Sequence, residues 1–193
     1  MKSITVFCGS SSGNKTVFTE QAALLGKRMA EKNIHLVYGG AQVGIMGTIA
    51  DHVLLNGGTV TGILPEFLQK KELAHQRLTE LIIVGTMHER KTLLHEKCDG
   101  GIALPGGYGT LEELFEILTW VQLGLQAKPI GILNTDGYYD ALKALVQSMV
   151  DNGFLKGVDQ DRLIFSDNVD DLLRQLENYK APHVTKWISE NEL

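Results

Sequence analysis

The stretch "IALPGGYGTLEE", Ile102 to Glu113, passes from apolar residues through a glycine turn into helical spacing. Strand, tight turn and helix in that order form the half-unit from which parallel α/β sheets are built. Glycines let the backbone approach a ligand, and the first N–H groups of a helix point outward with the positive end of its dipole. The turn is thus a candidate anion site, or else a tight connection with nothing bound. Two carboxylates, Glu112 and Glu113, follow it closely. Either they are first-turn acids that complement the helix dipole, or one of them acts on something beside a phosphate.

The same strand-and-helix rhythm runs along most of the chain. "ITVFCGSSSG" is β-branched and stops at Gly9, with helical spacing from Lys15 to Lys32. "IHLVYGG" ends at Gly39 and Gly40, and "GIMGTIADHVLLNGG" reads as a helix closed by Gly57 and Gly58. "TVTGILP" is a third strand, "LTELIIVG" a fourth, and "TMHERKTLLHEKCDG" a helix. "GIALPGG" and "KPIGILN" are strands on either side of a helix from Leu111 to Leu125. The last third supplies helices near Tyr139 to Asp151 and Val169 to Tyr179. Strands that are apolar throughout belong to a parallel sheet covered on both faces. The expectation is a Rossmann-like, doubly wound α/β domain over residues 1–180, with 181–193 as a C-terminal tail. Ligands of such sheets bind beyond the C-terminal strand ends, where Gly9, Gly39, Gly40, Gly106 and Gly107 fall.

Bulk properties narrow the field. A chain of 193 residues is long enough for a full core. No apolar run approaches the roughly 18 residues of a membrane span, and "MKSITVFCGS" is too short in its apolar part for a signal peptide. Cys8 and Cys98 form no CxxC, so a cytoplasmic protein with reduced thiols is expected. The net charge of −5 argues against a nucleic-acid partner. The nearest approach to a basic stripe, "LQKKEL" at Leu68 to Leu73, is short, interrupted by acid, and reads as a solvated loop.

A helical wheel separates the carboxylates. Leu114, Leu118, Val121 and Leu125 share a face that reads as core, Glu112 and Glu116 lie nearly opposite with Thr119 beside them, and Glu113 takes the flank. From a flank a carboxylate can look into a cleft. On the preceding helix Met87, Leu94 and Cys98 form an apolar stripe that contains Lys91, with Arg90 at its side. A lysine there either snorkels to water or meets an anion. Arg90 offers a planar fork for phosphate or carboxylate. Thr110 suits an N-cap or a phosphate hydroxyl. His88 and His95 lack HExxH spacing, and no metal is assigned. "PGGYGT" is not followed by Gly-Lys-Ser/Thr, and "GGAQVGIMG" lacks dinucleotide-fingerprint spacing.

Pro105, Gly106, Gly107, Gly109, Thr110 and Glu113 match the pattern PGGxGTxxE without departure, and "MHERK" precedes them at a suitable interval. Together with "CGSSSG" and "YGGAQVGIMG", these motifs resemble the Lonely Guy (LOG) family over about Lys2 to Tyr179. That family comprises cytokinin riboside 5'-monophosphate phosphoribohydrolases, often labelled lysine decarboxylases. The resemblance implies hydrolysis of the N-glycosidic bond of an adenosine 5'-monophosphate, usually N6-substituted, by a homodimer that needs no cofactor. It implies Arg90 and Glu113 as the catalytic pair. The implied substrate contacts are Glu72, Arg90, Lys91, Gly106, Gly107, Tyr108, Gly109, Thr110, Glu113 and Thr119. Three rival readings stand beside it: a nucleotide-binding module without catalysis, a pyridoxal-phosphate decarboxylase using Lys91, and a single-stranded DNA binder. The acidic balance disfavours the last.

Overall fold

The computed structural model describes residues 1–69 and 74–182. Its centre is a sheet of seven strands, all parallel, in the order β4-β3-β2-β1-β5-β6-β7. In chain order the elements begin with β1 (Ser3–Phe7), α1 (Thr16–Glu31), β2 (His35–Tyr38) and α2 (Gly44–Leu55). There follow β3 (Val60–Pro65), α3 (Glu66–Gln69), β4 (Glu80–Val84), α4 (Met87–Glu96), β5 (Gly101–Ala103) and α5 (Tyr108–Gln122). The chain continues through β6 (Ile130–Leu133), α6 (Asp140–Asp151), α7 (Gly157–Gln160), β7 (Leu163–Ser166) and α8 (Val169–Glu177).

Alternation along the strands divides the core. Ile4, Val6 and Cys8 face α1, α2 and α8, where Phe18, Ala22, Leu25, Met29, Ile49, Val53 and Leu172 pack. Phe7, Ala103, Ile130 and Ile132 face the other way, against Leu114, Ile117 and Val121 of α5 and Val146 of α6. Each fully buried Leu, Ile or Met contributes roughly 2 kcal/mol of burial free energy, and the first layer holds the most such residues. The α4 face is thinner: Leu94 packs on Val37, Ile63 and Val84 with Leu93 beside it, and most of the other α4 side chains are polar.

Three expectations are corrected here. A seventh strand, β7, extends the sheet beyond β6 where only helices were expected. The glycine-turn helix runs from Tyr108 to Gln122 rather than from Leu111 to Leu125. Leu125, placed on the core face by the wheel, is exposed, and Ile117 takes the buried position instead. Most of the "LQKKEL" loop and nearly all of the proposed tail lie outside the described residues.

The strand order reverses between β1 and β5: β1 leads on to β2 at one side and meets β5 at the other. Loops on either side of such a point diverge and leave a crevice at the C-terminal strand ends. That crevice positions everything below.

Candidate active site

The loops leaving β1 and β5 touch at the reversal point. Gly9 N–H donates to the Pro105 carbonyl at 3.2 Å, and Met46 N–H, at the start of α2, donates to the Gly9 carbonyl at 3.3 Å. Between them lies a cleft of about 340 Å³, walled by Ser10, Ser11, Ile45, Gly106, Gly107 and Tyr138. The Tyr138 hydroxyl donates to the Gly106 carbonyl at 2.6 Å, and Tyr139 donates to the Leu104 carbonyl at 2.7 Å. Two tyrosines thus hold the glycine turn from its far side. The sequence reading nominated none of Ser10, Ser11 and Tyr138; the serine-rich turn after the first strand was the signal that could have found two of them.

Gly107 is the N-cap of α5 and supplies no side-chain cap, so among the described residues no side chain caps the first N–H groups of this 15-residue helix at the cleft mouth. Thr110 is the third helical residue rather than the cap. It is buried, and a Cβ on Gly106 would lie only 2.1 Å from its hydroxyl oxygen. Tyr108 is almost fully exposed. Because α5 starts at Tyr108, Glu112 and Glu113 belong to its second turn, which contradicts their reading as first-turn acids.

Glu113 is buried at the flank of α5, facing α4. Arg90 Nη1 stands 3.3 Å from Glu113 Oε1, and Arg90 Nε donates to the Ile63 carbonyl at 3.1 Å. The guanidinium reaches the site through the space that Gly39 leaves open: a Cβ there would lie 2.3 Å from Arg90 Nη2. Burial pushes the Glu113 carboxyl above the ordinary range, and the positive charge of Arg90 pulls it back. Cys8, at the end of β1, has its thiol pushed up by burial and then by the charge of Glu113.

The two basic neighbours on α4 exchange the places the wheel gave them. Arg90 is buried with Leu94 and His95, whereas Lys91 leans out and pairs with Glu112 Oε1 at 2.6 Å and Glu116 Oε1 at 2.9 Å. Those two hydrogen bonds raise the Lys91 pKa. Thr119 lies apart from this group. It is exposed, donates to the Phe115 carbonyl, and borders a separate apolar groove of about 210 Å³ with Leu118, Met149 and Phe154. Glu72 lies outside the described residues. The structure therefore gathers Arg90, Glu113, the Gly106–Thr110 turn and, one step removed, Lys91.

Comparison with known proteins bears on this arrangement. Residues 46–176 match the family model described as "Possible lysine decarboxylase". Cytokinin riboside 5'-monophosphate phosphoribohydrolase LOG2 of Arabidopsis thaliana is 45% identical over 191 residues, covering 97% of this chain and 90% of the relative. Probable cytokinin riboside 5'-monophosphate phosphoribohydrolase LOGL1 of Oryza sativa subsp. japonica is 46% identical, covering 93% and 81%. Among solved structures, TM1055 superposes with a TM-score of 0.71 at 23% identity, covering 93% of this chain and all of that one. The Moco carrier protein of Chlamydomonas reinhardtii superposes with a TM-score of 0.68 at 20% identity, covering 91% and 96%. These distant structures share the fold. The curated relatives share far more, and the chain belongs to the Lonely Guy (LOG) family.

Proposed function

We propose that this protein hydrolyses the N-glycosidic bond of adenosine 5'-monophosphates, N6-substituted ones included, to free base and ribose 5-phosphate. The observation that carries the reading is the buried Arg90–Glu113 pair, with Glu113 on a helix whose N-terminus has no side-chain cap among the described residues, an arrangement that suits a phosphate, in a chain whose curated relatives bear the name of that activity. The phosphate docks on the N–H groups after Gly107, with Thr110 beside it. Cleavage of the bond to the base develops positive charge on the ribose ring, through an oxocarbenium-like transition state. Glu113, second-turn rather than first, meets the sugar and not the phosphate. Its carboxylate stabilises that charge and orients the water that adds to the anomeric carbon as the base departs with a proton. Arg90, with Nε committed to Ile63 and Nη1 to Glu113, holds the carboxylate in place and offsets the burial that opposes its ionisation.

The decarboxylase label of the family model finds no support at Lys91. A Schiff-base lysine needs a lowered pKa, and two carboxylates keep this one protonated. A homodimer in the cytoplasm completes the reading by family likeness. Among the described residues no helix is long and apolar enough to cross a membrane.

The test is chromatographic. Wild type and Glu113→Gln are incubated with AMP and with N6-isopentenyl-AMP, and released base is measured. Base from the wild type alone supports the reading. Unchanged nucleotide from both, with AMP still bound, replaces it with a binding module.

A further inference from the structure

Three successive carbonyls lead into the glycine turn, and each has a donor. The Leu104 carbonyl accepts from the Tyr139 hydroxyl at 2.7 Å, the Pro105 carbonyl from Gly9 N–H at 3.2 Å, and the Gly106 carbonyl from the Tyr138 hydroxyl at 2.6 Å. In a trans peptide the carbonyl and the next residue's N–H point in opposite directions, and none of the described peptides is cis. Fixing a carbonyl therefore aims the N–H that follows it. Leu104 is followed by Pro105, which has no N–H to aim. The other two bonds aim the N–H groups of Gly106 and Gly107, and neither has an acceptor among the described residues.

An orientation of this kind has to be held. A peptide between two glycines rotates easily, because no Cβ confines either residue. Turned over, it would present the Gly106 oxygen where the Gly107 N–H stands, a negative pole facing an anion. We infer that Tyr138 is a positioning residue for the phosphate. Its hydroxyl fixes the Gly106–Gly107 peptide, so that the Gly107 N–H joins the helical N–H groups after it in holding the anion. The inference rests on the proposed function for its ligand, a nucleoside monophosphate, and not for the geometry of the peptide.

Tyr138 is suited to that task. Its ring is held edge-on to Phe18, 5.7 Å away between centroids, and to Tyr139 at 4.9 Å. Its backbone is set by a single 3₁₀ turn, Thr135–Gly137, in which Asp136 and Gly137 take positive φ. Tyr138 N–H closes that turn on the Thr135 carbonyl at 3.1 Å. The hydroxyl has one proton and gives it to Gly106, so it keeps no donor for a phosphate of its own. The same bond polarises the Gly106–Gly107 peptide and strengthens its N–H as a donor. Tyr138 thus acts through the backbone, not by contact.

The experiment compares AMP with adenosine, which lacks only the phosphate. Affinities are measured by calorimetry on the full chain in a Glu113→Gln background, so that nucleotide is not consumed. Tyr138→Phe deletes the hydroxyl and keeps the ring between Phe18 and Tyr139. It is expected to weaken AMP about fivefold or more and adenosine less than about twofold. Tyr139→Phe is the control. It strips the Leu104 carbonyl, which no N–H follows, so it should lower the melting temperature and leave the AMP-to-adenosine ratio within about twofold of its parent. Kinetics without the Glu113 substitution give a second reading: in Tyr138→Phe, KM for AMP rises by the same factor and adenosine inhibits as before. Equal losses for both ligands, no loss for either, or the same selective loss in Tyr139→Phe overturns the inference. So does a parent protein that binds AMP no better than adenosine, since the phosphate then has no place at the turn. A selective loss in Tyr138→Phe of a protein that never releases base upholds the inference and fails the glycosidase reading instead.

Discussion

Arg90 Nη1 and Glu113 Oε1 face each other at 3.3 Å with both side chains almost wholly out of solvent. Each supports the other, because an unpaired buried charge is destabilising. The pair also makes a definite statement about pH. Burial raises the Glu113 pKa despite Arg90, so the folded state holds that proton more tightly than the unfolded chain does. Stability contributed by the protonated form is present below the ordinary carboxylate value. It is lost as pH rises from there through the raised folded value. Glu113→Gln removes the loss. Relative to wild type, its melting temperature should therefore gain as pH rises from about 4 to about 7, read by thermal denaturation at a series of pH values. A difference that stays constant across that window would show Glu113 to be ordinary.

Catalysis gives the same substitution a second signature. Loss of one preorganised electrostatic group typically lowers the rate by a hundredfold or more, about 3 kcal/mol. Glu113→Gln should bind AMP within a few-fold of wild type by calorimetry while base release falls by at least that factor. Wild-type turnover in the variant would remove Glu113 from the mechanism.

Gly39 tests Arg90 without touching it. A Cβ at Gly39 would lie 2.3 Å from Arg90 Nη2 and 3.2 Å from Met46 Sδ, and both are ends of flexible side chains. The protein can yield by moving the guanidinium, so Gly39→Ala should keep its fold. A displacement of about 1 Å at a reacting site can cost a hundredfold in rate, and at least a tenfold fall in kcat is expected here. The fold is checked by circular dichroism. Unchanged kcat in a folded variant would mean that Arg90 does not need its observed position.

Much of this was legible beforehand, and the misses have physical causes. Six strands announced themselves as short apolar runs ending at glycine, proline or a turn. The seventh, "LIFS" at Leu163–Ser166, lies at the sheet edge between Arg162 and Asp167, with no glycine at its end and too closely flanked by charge to stand out. Glu113 was placed correctly at the flank of its helix because the wheel of α5 is dominated by real core positions such as Leu114 and Val121. The wheel of α4 misled, because its buried residues are Arg90, Leu94 and His95. A helix that packs against a polar site has no apolar stripe to read, so Lys91 was put in Arg90's place. The pairing of His95 and Lys91 with Glu116 was invisible for the same reason: it forms between two helices, His95 and Glu116 being 21 residues apart in sequence, and no spacing within either reveals it.

The glycine turn separates what the fold needs from what the ligand needs. A Cβ on Gly106 would meet the Thr110 hydroxyl at 2.1 Å and the Gly9 nitrogen at 2.9 Å, and the backbone contact cannot yield cheaply. Gly107, one residue later, would meet nothing within 4 Å among the described residues, and its φ of −96° is open to any residue. Its added methyl would project into open space at the mouth of the helix N-terminus, where the phosphate is proposed to sit. Gly106→Ala should therefore lower the melting temperature, by an amount matching about 1–3 kcal/mol for forced overpacking. Gly107→Ala should leave it within about a degree while weakening AMP binding tenfold or more, since backbone approach to the anion is what its missing side chain permits. Thermal denaturation and calorimetry on the two variants read both effects. If Gly107→Ala bound AMP as the wild type does, the phosphate would have to be sought elsewhere along the cleft.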